Sequence, residues 1–179
     1  EMQRSLVGSE MCIRDRLLNG KQIGERKPYD DSTAIIYWDI PYTPGALEVV
    51  AYNRGKKVAE DKIQSSGLPY AIRASMDKIQ DVKVGEVLHL MIQIVDENNI
   101  PVVLADNQIT CYIEGEAKLL GLESGDHNVA DNYRDNKQRC KNGKLLGYVK
   151  VRGQGKVKIR LTSPLLQSAV LELDVKSYK

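Results

Sequence analysis

The side chains able to do chemistry in this 179-residue chain are few: 24 acids, three cysteines and two histidines. Cleaving a glycosidic bond takes two carboxyl groups held at a set separation across it, one as acid and one as base or nucleophile. Asp39, Glu60, Asp61, Asp96, Glu97, Glu114 and Glu116 are available, but each falls at a turn or on the outward side of a strand pattern. They read as solvated surface groups rather than as a pair. A serine nucleophile has no support, because no G-x-S-x-G elbow is present. Cys111 alternates with Ile109 and Ile113, a setting in which a free cysteine behaves as a small apolar group. No catalytic residue is therefore assigned.

Metal and cofactor chemistry is equally poorly supplied. Cys12, Cys111 and Cys140 contain no C-x-x-C pair, and His89 and His127 are the only histidines, so neither a metal site nor a cofactor is expected. His89 sits on the outward side of its strand. The longest irregular stretch, ESGDHNVADNYRDNKQRCKNGK from Glu123 to Lys144, is of the length at which loops are usually functional or mobile. Its Asp126, His127, Asp131, Asn132, Asp135 and Asn136 offer oxygen ligands, yet their order lacks the alternating spacing, central glycine and terminal glutamate of a calcium loop. The same loop holds Tyr133, Arg139 and His127, types that suit a sugar-contacting rim and equally an ordinary surface loop. Cys111 and Cys140 could pair if the protein is exported; the sequence leaves this open. Trp38 alternates within a strand pattern and reads as a packing residue.

These side chains have to be positioned by strands. Apolar content of 42%, charged content of 28% and a formal net charge of +2 describe a globular chain. Cations and acids are interleaved, with no basic block or aromatic-studded basic stripe, so nucleic acid is not an expected partner. No run approaches the ~18 apolar residues of a membrane span. The pattern has period two from Leu17 onward. Asn19-Gly20 is a type I′ hairpin signal. Ala34–Ile40 (AIIYWDI) reads as a strand closed by Pro41, and Leu47, Val49 and Ala51 alternate in the next one, before KKVAEDKIQ. Ser65–Ile72 (SSGLPYAI) combines small residues with Gly67 and Pro69 and reads as a short linker. Beyond it, Leu88, Leu90, Ile92 and Ile94 form one face of a strand and His89, Met91 and Gln93 the other. Ile109, Cys111 and Ile113, then Val157, Ile159 and Leu161, then Leu171, Leu173 and Val175 point inward in later strands. Asp96, Asn98 and Asn99 can make side-chain turns in DENNIP. The fold class is all-β: two immunoglobulin-like sandwiches in tandem, the first truncated at its N-terminus. The domains are residues 17–64 and 72–179, with 65–71 between them.

Two sets of motifs carry a resemblance. LLNGKQIGERK, followed by YWDIPYTPGALEVVAYNRGKKVAEDKIQSSGLP, resembles the immunoglobulin-like domain that follows the catalytic barrel in bacterial β-galactosidases of glycoside hydrolase family 2. The shared pattern is L-N-G-K-x-x-G, then W-D-[IV]-P-Y-x-P-G-x-L, then A-Y-x-x-G-K-x-V-A-x-D before a short linker. VDENNIPV, ADNQITCYIEGEAKLLGLESGD and YRDNKQRCKNGKLLGYVKV resemble the last, invasin-like sandwich of the same enzymes. Cys111-Tyr112 departs from the more apolar or phenylalanine-containing pair common there, and this chain has no phenylalanine.

The resemblance implies a C-terminal accessory piece of a retaining β-galactosidase. The family's two catalytic glutamates belong to an upstream barrel, and no position here matches either motif. The implied partner is that barrel, which these domains would brace or border; a carbohydrate contact and the oligomeric state are left open. A stand-alone adhesion or carbohydrate-binding module is the competing reading. Family habit implies a periplasmic or extracellular bacterial location.

Residues 1–16 stand apart. SLVGSEMCIRDR has neither strand nor helix periodicity and resembles translated sequencing-adapter DNA found at the ends of unrelated sequences. The first residue is glutamate rather than methionine, and the expectation is that residues 1–16 are a non-native segment, poorly packed, and that the informative protein is the tail of something larger.

Overall fold

A computed structural model describes residues 13–25, 27–28, 30, 32–128 and 132–176. The chain divides into two compact units, 1–65 and 66–179. The described residues form strands, turns and bends.

The first unit is a single antiparallel sheet in the order β2-β1-β3-β4, built from β1 (Ile13–Leu18), β2 (Lys21–Gln22), β3 (Ala46–Asn53) and β4 (Lys56–Gln64). The Asn19-Gly20 hairpin forms as expected: both residues have positive φ, 52° and 77°, the backbone a two-residue turn demands. Asn19 also ties the turn to β3, its Oδ1 accepting from Ala46 N at 2.8 Å.

Three expectations for this unit need correction. Ile13–Arg16 belong to β1, paired through Arg14↔Ala51 and Arg16↔Val49, and Asp15 and Arg16 are buried. A ladder is made by backbone groups, so β3 can recruit a segment that has no side-chain alternation of its own. The rest of the opening segment, residues 1–12 with Cys12, lies outside the described residues. Ala34–Ile40 is not a strand. Its backbone is instead gripped by Lys27, whose ammonium donates to Tyr37 O at 2.9 Å and lies over the Tyr37 and Trp38 rings. Trp38 does pack, with the Arg16 guanidinium 4.7 Å from its ring centroid. Leu47, Val49 and Ala51 do not bury as a set: Val50 and Ala51 are the buried pair, where the β3–β4 register shifts between Ala51 and Tyr52. A bulge of that kind breaks strict alternation.

The second unit is a two-sheet sandwich. One sheet runs β5-β6-β10-β8, from β5 (Ala71–Met76), β6 (Val87–Val95), β10 (Lys144–Val151) and β8 (Ala117–Glu123). The other runs β12-β11-β7-β9, from β12 (Ala169–Val175), β11 (Gly155–Thr162), β7 (Gln108–Glu114) and β9 (Lys137–Arg139). The inward residues of β6, β7 and β11 meet between the sheets; Leu90, Ile94, Ile109, Ile159 and Leu161 are wholly buried. Leu88, Ile92, Cys111, Val157, Leu173 and Val175 join them, while Ile113 and Leu171 are partly buried at the margin. The long Glu123–Lys144 stretch is less irregular than its composition suggests, because it contains β9, which pairs with the edge of β7.

Candidate functional site

The acids are scattered. Asp39, Glu60 and Asp61 are exposed in the first unit. In the second, Glu97, Glu114 and Glu116 are exposed; Asp96 follows the end of β6, while Glu114 ends β7 in the other sheet. Asp96 differs from expectation in being buried, at 3% exposure. Its carboxylate accepts from the backbone N–H of Gly67 (2.7 Å), Ile100 (2.8 Å) and Asn98 (2.9 Å). These bonds, the one from Gly67 foremost, hold its pKa below the ordinary aspartate value. It is the brace of the β6–Pro101 turn and already has its ligands.

The two cysteines among the described residues are free and buried, Cys111 at 2% and Cys140 at 4% exposure. Burial pushes both thiols up to about 12. They do not approach each other. Cys111 N donates to Asn136 O and Cys140 N to Asn107 O, so each sits beside a different end of the β7–β9 pairing. Four residues of strand separate those levels, roughly 13 Å, against the ~4.4–6.8 Å between α-carbons that a disulfide spans.

The loop's oxygens are also committed. Lys141 donates to Asp126 Oδ2 at 2.8 Å, Arg134 N to Asn132 Oδ1 and Asn136 N to its neighbour Asp135. Asp131 lies outside the described residues. Among the described residues no group of three or more His, Cys, Asp or Glu could hold a metal. Of the suggested sugar rim, Arg139 of β9 pairs with Asp106, in the coil leading into its ladder partner β7, and His127 is exposed.

What the fold does assemble is the outer face of the β5-β6-β10-β8 sheet, which carries an open hollow of about 730 Å³. Strand register lays its side chains in rows. The first row is Arg73, Gln93 and Lys144; the second is Ser75, Met91, Leu146 and Glu123; the third is Asp77, His89 and Tyr148, ending at Gly121. The third row is cross-linked. His89 Nδ1–H donates to Asp77 Oδ2 at 2.7 Å, and its backbone N–H donates to Oδ1 at 3.0 Å. Partial burial raises the Asp77 pKa, but the His89 bonds outweigh it and the net shift is downward. The His89 ring meets Tyr148 edge-on, 5.5 Å between centroids at 71°. Tyr148 O–H donates to Glu123 Oε2 at 3.2 Å, and burial followed by that bond raises the phenol's pKa, keeping it a donor.

Gly121 shapes one wall. A Cβ there would stand 2.4 Å from the carbonyl oxygen of Tyr133, which accepts from Leu122 N. Only the bare backbone lets the loop carrying Tyr133 close over β8, where Tyr133 and Tyr148 flank a smaller hollow of about 440 Å³. The sequence reading found His89, Met91 and Gln93 on one face but missed Asp77, Tyr148 and Glu123. The alternation in KLLGYVKV marks Tyr148 as outward; nothing in the linear order marks it as the neighbour of His89, 59 positions away in register.

This face can bind: it joins half-exposed apolar and aromatic groups to planar polar ones. Its two carboxylates, Asp77 and Glu123, sit on different strands and accept from His89 and Tyr148 respectively.

Comparison with known proteins agrees with this division of the chain. Residues 72–172 match the glycoside hydrolase family 2 C-terminal domain 5, and residues 15–59 match a domain of unknown function (DUF4982). A β-galactosidase of Bacteroides ovatus, BoGH2A, is 28% identical over 158 residues, covering 87% of this chain and 18% of its own length. A β-glycosidase from Bacteroides vulgatus superposes with a TM-score of 0.84 at 29% identity, over 91% of this chain and 21% of that one. A family 2 glycosyl hydrolase from Bacteroides cellulosilyticus superposes with a TM-score of 0.84 at 24% identity, covering 90% of this chain and 22% of that one, and shares the fold. The chain thus spans about a fifth of the length of these relatives. With more than half of its residues matched by the C-terminal domain model, this chain belongs to glycoside hydrolase family 2.

Proposed function

We propose that the chain is a non-catalytic accessory portion of a family 2 β-galactosidase, a single-sheet unit and a sandwich that brace or border a catalytic barrel lying upstream. The observation that carries this reading is the match of residues 72–172 to a C-terminal domain in a chain a fifth as long as its relatives. The scattered acids support it, since a retaining enzyme holds its two carboxyl groups only ~5 Å apart. In this reading the barrel supplies the acid/base and the nucleophile, and the whole enzyme removes terminal β-galactosyl groups with retention. The location follows as periplasmic or extracellular.

Two experiments test it. The contiguous genomic sequence is expected to encode a barrel with two catalytic glutamates ahead of residue 17; tandem immunoglobulin repeats or an anchoring motif in its place would overturn the proposal. The chain alone is expected to leave a chromogenic β-galactoside intact, and measurable turnover that survives repurification would refute the accessory role.

A further inference from the structure

We propose that the outer face of the β5-β6-β10-β8 sheet is a binding surface for an oligosaccharide that carries carboxylates, a polyuronate type of chain. The proposal goes beyond the accessory reading and does not depend on it.

The argument begins with the order of the rows. Neighbouring strands lie ~4.8 Å apart and alternate residues along a strand ~7 Å apart. Arg73 and Lys144 therefore stand about 10 Å from each other, with the Gln93 amide between them. One row further, Met91 and Leu146 make an apolar floor, Met91 being 43% exposed. Beyond it lie His89 and Tyr148, ring against ring. A pyranose ring has an apolar face and a hydroxylated edge. It can lie on the Met91–Leu146–Tyr148 floor while its hydroxyls reach Ser75, Glu123 and the imidazole edge.

Charge selects the kind of sugar. The two acids of the face lie off the row that holds Arg73 and Lys144 and accept from neighbours, Asp77 from His89 and Glu123 from Tyr148. Among the described residues neither of the two cations is paired with an acid. Arg73 donates to the Asn99 carbonyl and side-chain oxygens at 3.4 and 3.3 Å, neutral partners that leave guanidinium N–H groups over. Among the described residues Lys144 is in no ion pair or side-chain hydrogen bond. Unpaired cations beside an apolar floor favour a ligand that brings carboxylates to one side of its rings. A second protein would also bring carboxylates, but it would not need a hollow faced with separate hydroxyl-sized polar groups.

The test is affinity electrophoresis of the 179-residue chain through gels containing polygalacturonate, methyl-esterified polygalacturonate or polyglutamate. Retardation by polygalacturonate alone is expected. Arg73→Ala with Lys144→Ala is expected to weaken it about tenfold, the loss of two charge-assisted contacts, and Met91→Ala several-fold. All three side chains are exposed, and an unchanged melting temperature confirms that each variant is folded. Lys158→Ala, on the outer face of the other sheet, is expected to bind as the parent does. The proposal is overturned by absence of retardation in polygalacturonate, by equal retardation in polyglutamate, or by an equal loss on Lys158→Ala.

Discussion

The two buried thiols give a prediction whose size follows from the fold. Cys111 lies between core isoleucines of β7, and Cys140 lies just past β9, the two at separate levels of the same pairing. With both pKa values near 12, the thiolate fraction at pH 8 is about 10⁻⁴, against roughly a quarter for an ordinary thiol of pKa ~8.5. Alkylation of the native chain by iodoacetamide should therefore be at least ~10³-fold slower at both sites than for a surface cysteine, and slower still if it must wait for the sandwich to open. Site-resolved mass spectrometry measures this for Cys111 and Cys140 without interference from Cys12. In guanidinium chloride without reductant, both should label at once. Native labelling at surface rates would refute the packing, and failure to label in denaturant would mean that the two form a disulfide after all. The same shifts set the alkaline behaviour: thiols with folded pKa values raised above the unfolded value contribute stability that is complete below pH ~8.5 and lost as pH rises toward 12.

Other perturbations probe the positions that shape the site. Gly121→Ala should cost about 1–3 kcal/mol in urea denaturation, because the new methyl meets the Tyr133 carbonyl at 2.4 Å and backbone has to move. Leu161→Ala should cost about 3–5 kcal/mol, the value for a fully buried leucine in a core that cannot collapse, and a loss below 1 kcal/mol would contradict the observed packing. Asp96 predicts an acid limb. Its depressed carboxyl pKa contributes stability present above the unfolded value near 3.8 and lost as pH falls through the folded one. Urea midpoints measured from pH 6 downward should fall in that window, and less steeply in Asp96→Asn.

The sequence by itself determined the class of fold and the identity of the core. In β6, β7 and β11 the period of two is unbroken and one face of each strand is apolar, so burial follows from local order whatever the partner strands are. Asn19-Gly20 likewise fixed its hairpin, since positive φ at both positions is a property of those residue types. Where the local pattern was ambiguous, tertiary pairing decided. Ala34–Ile40 has strand composition but found no ladder, whereas Ile13–Arg16, with no pattern at all, was drawn into one by β3. Asp96 reads as a surface acid until the turn closes and brings Gly67, 29 positions away, to its carboxylate. The binding face is the clearest case. His89, Tyr148, Glu123 and Asp77 come from four separate segments, and only antiparallel register sets them side by side. Register depends on which backbones pair and where, and that information resides in the packed sheets rather than in the spacing of any one strand.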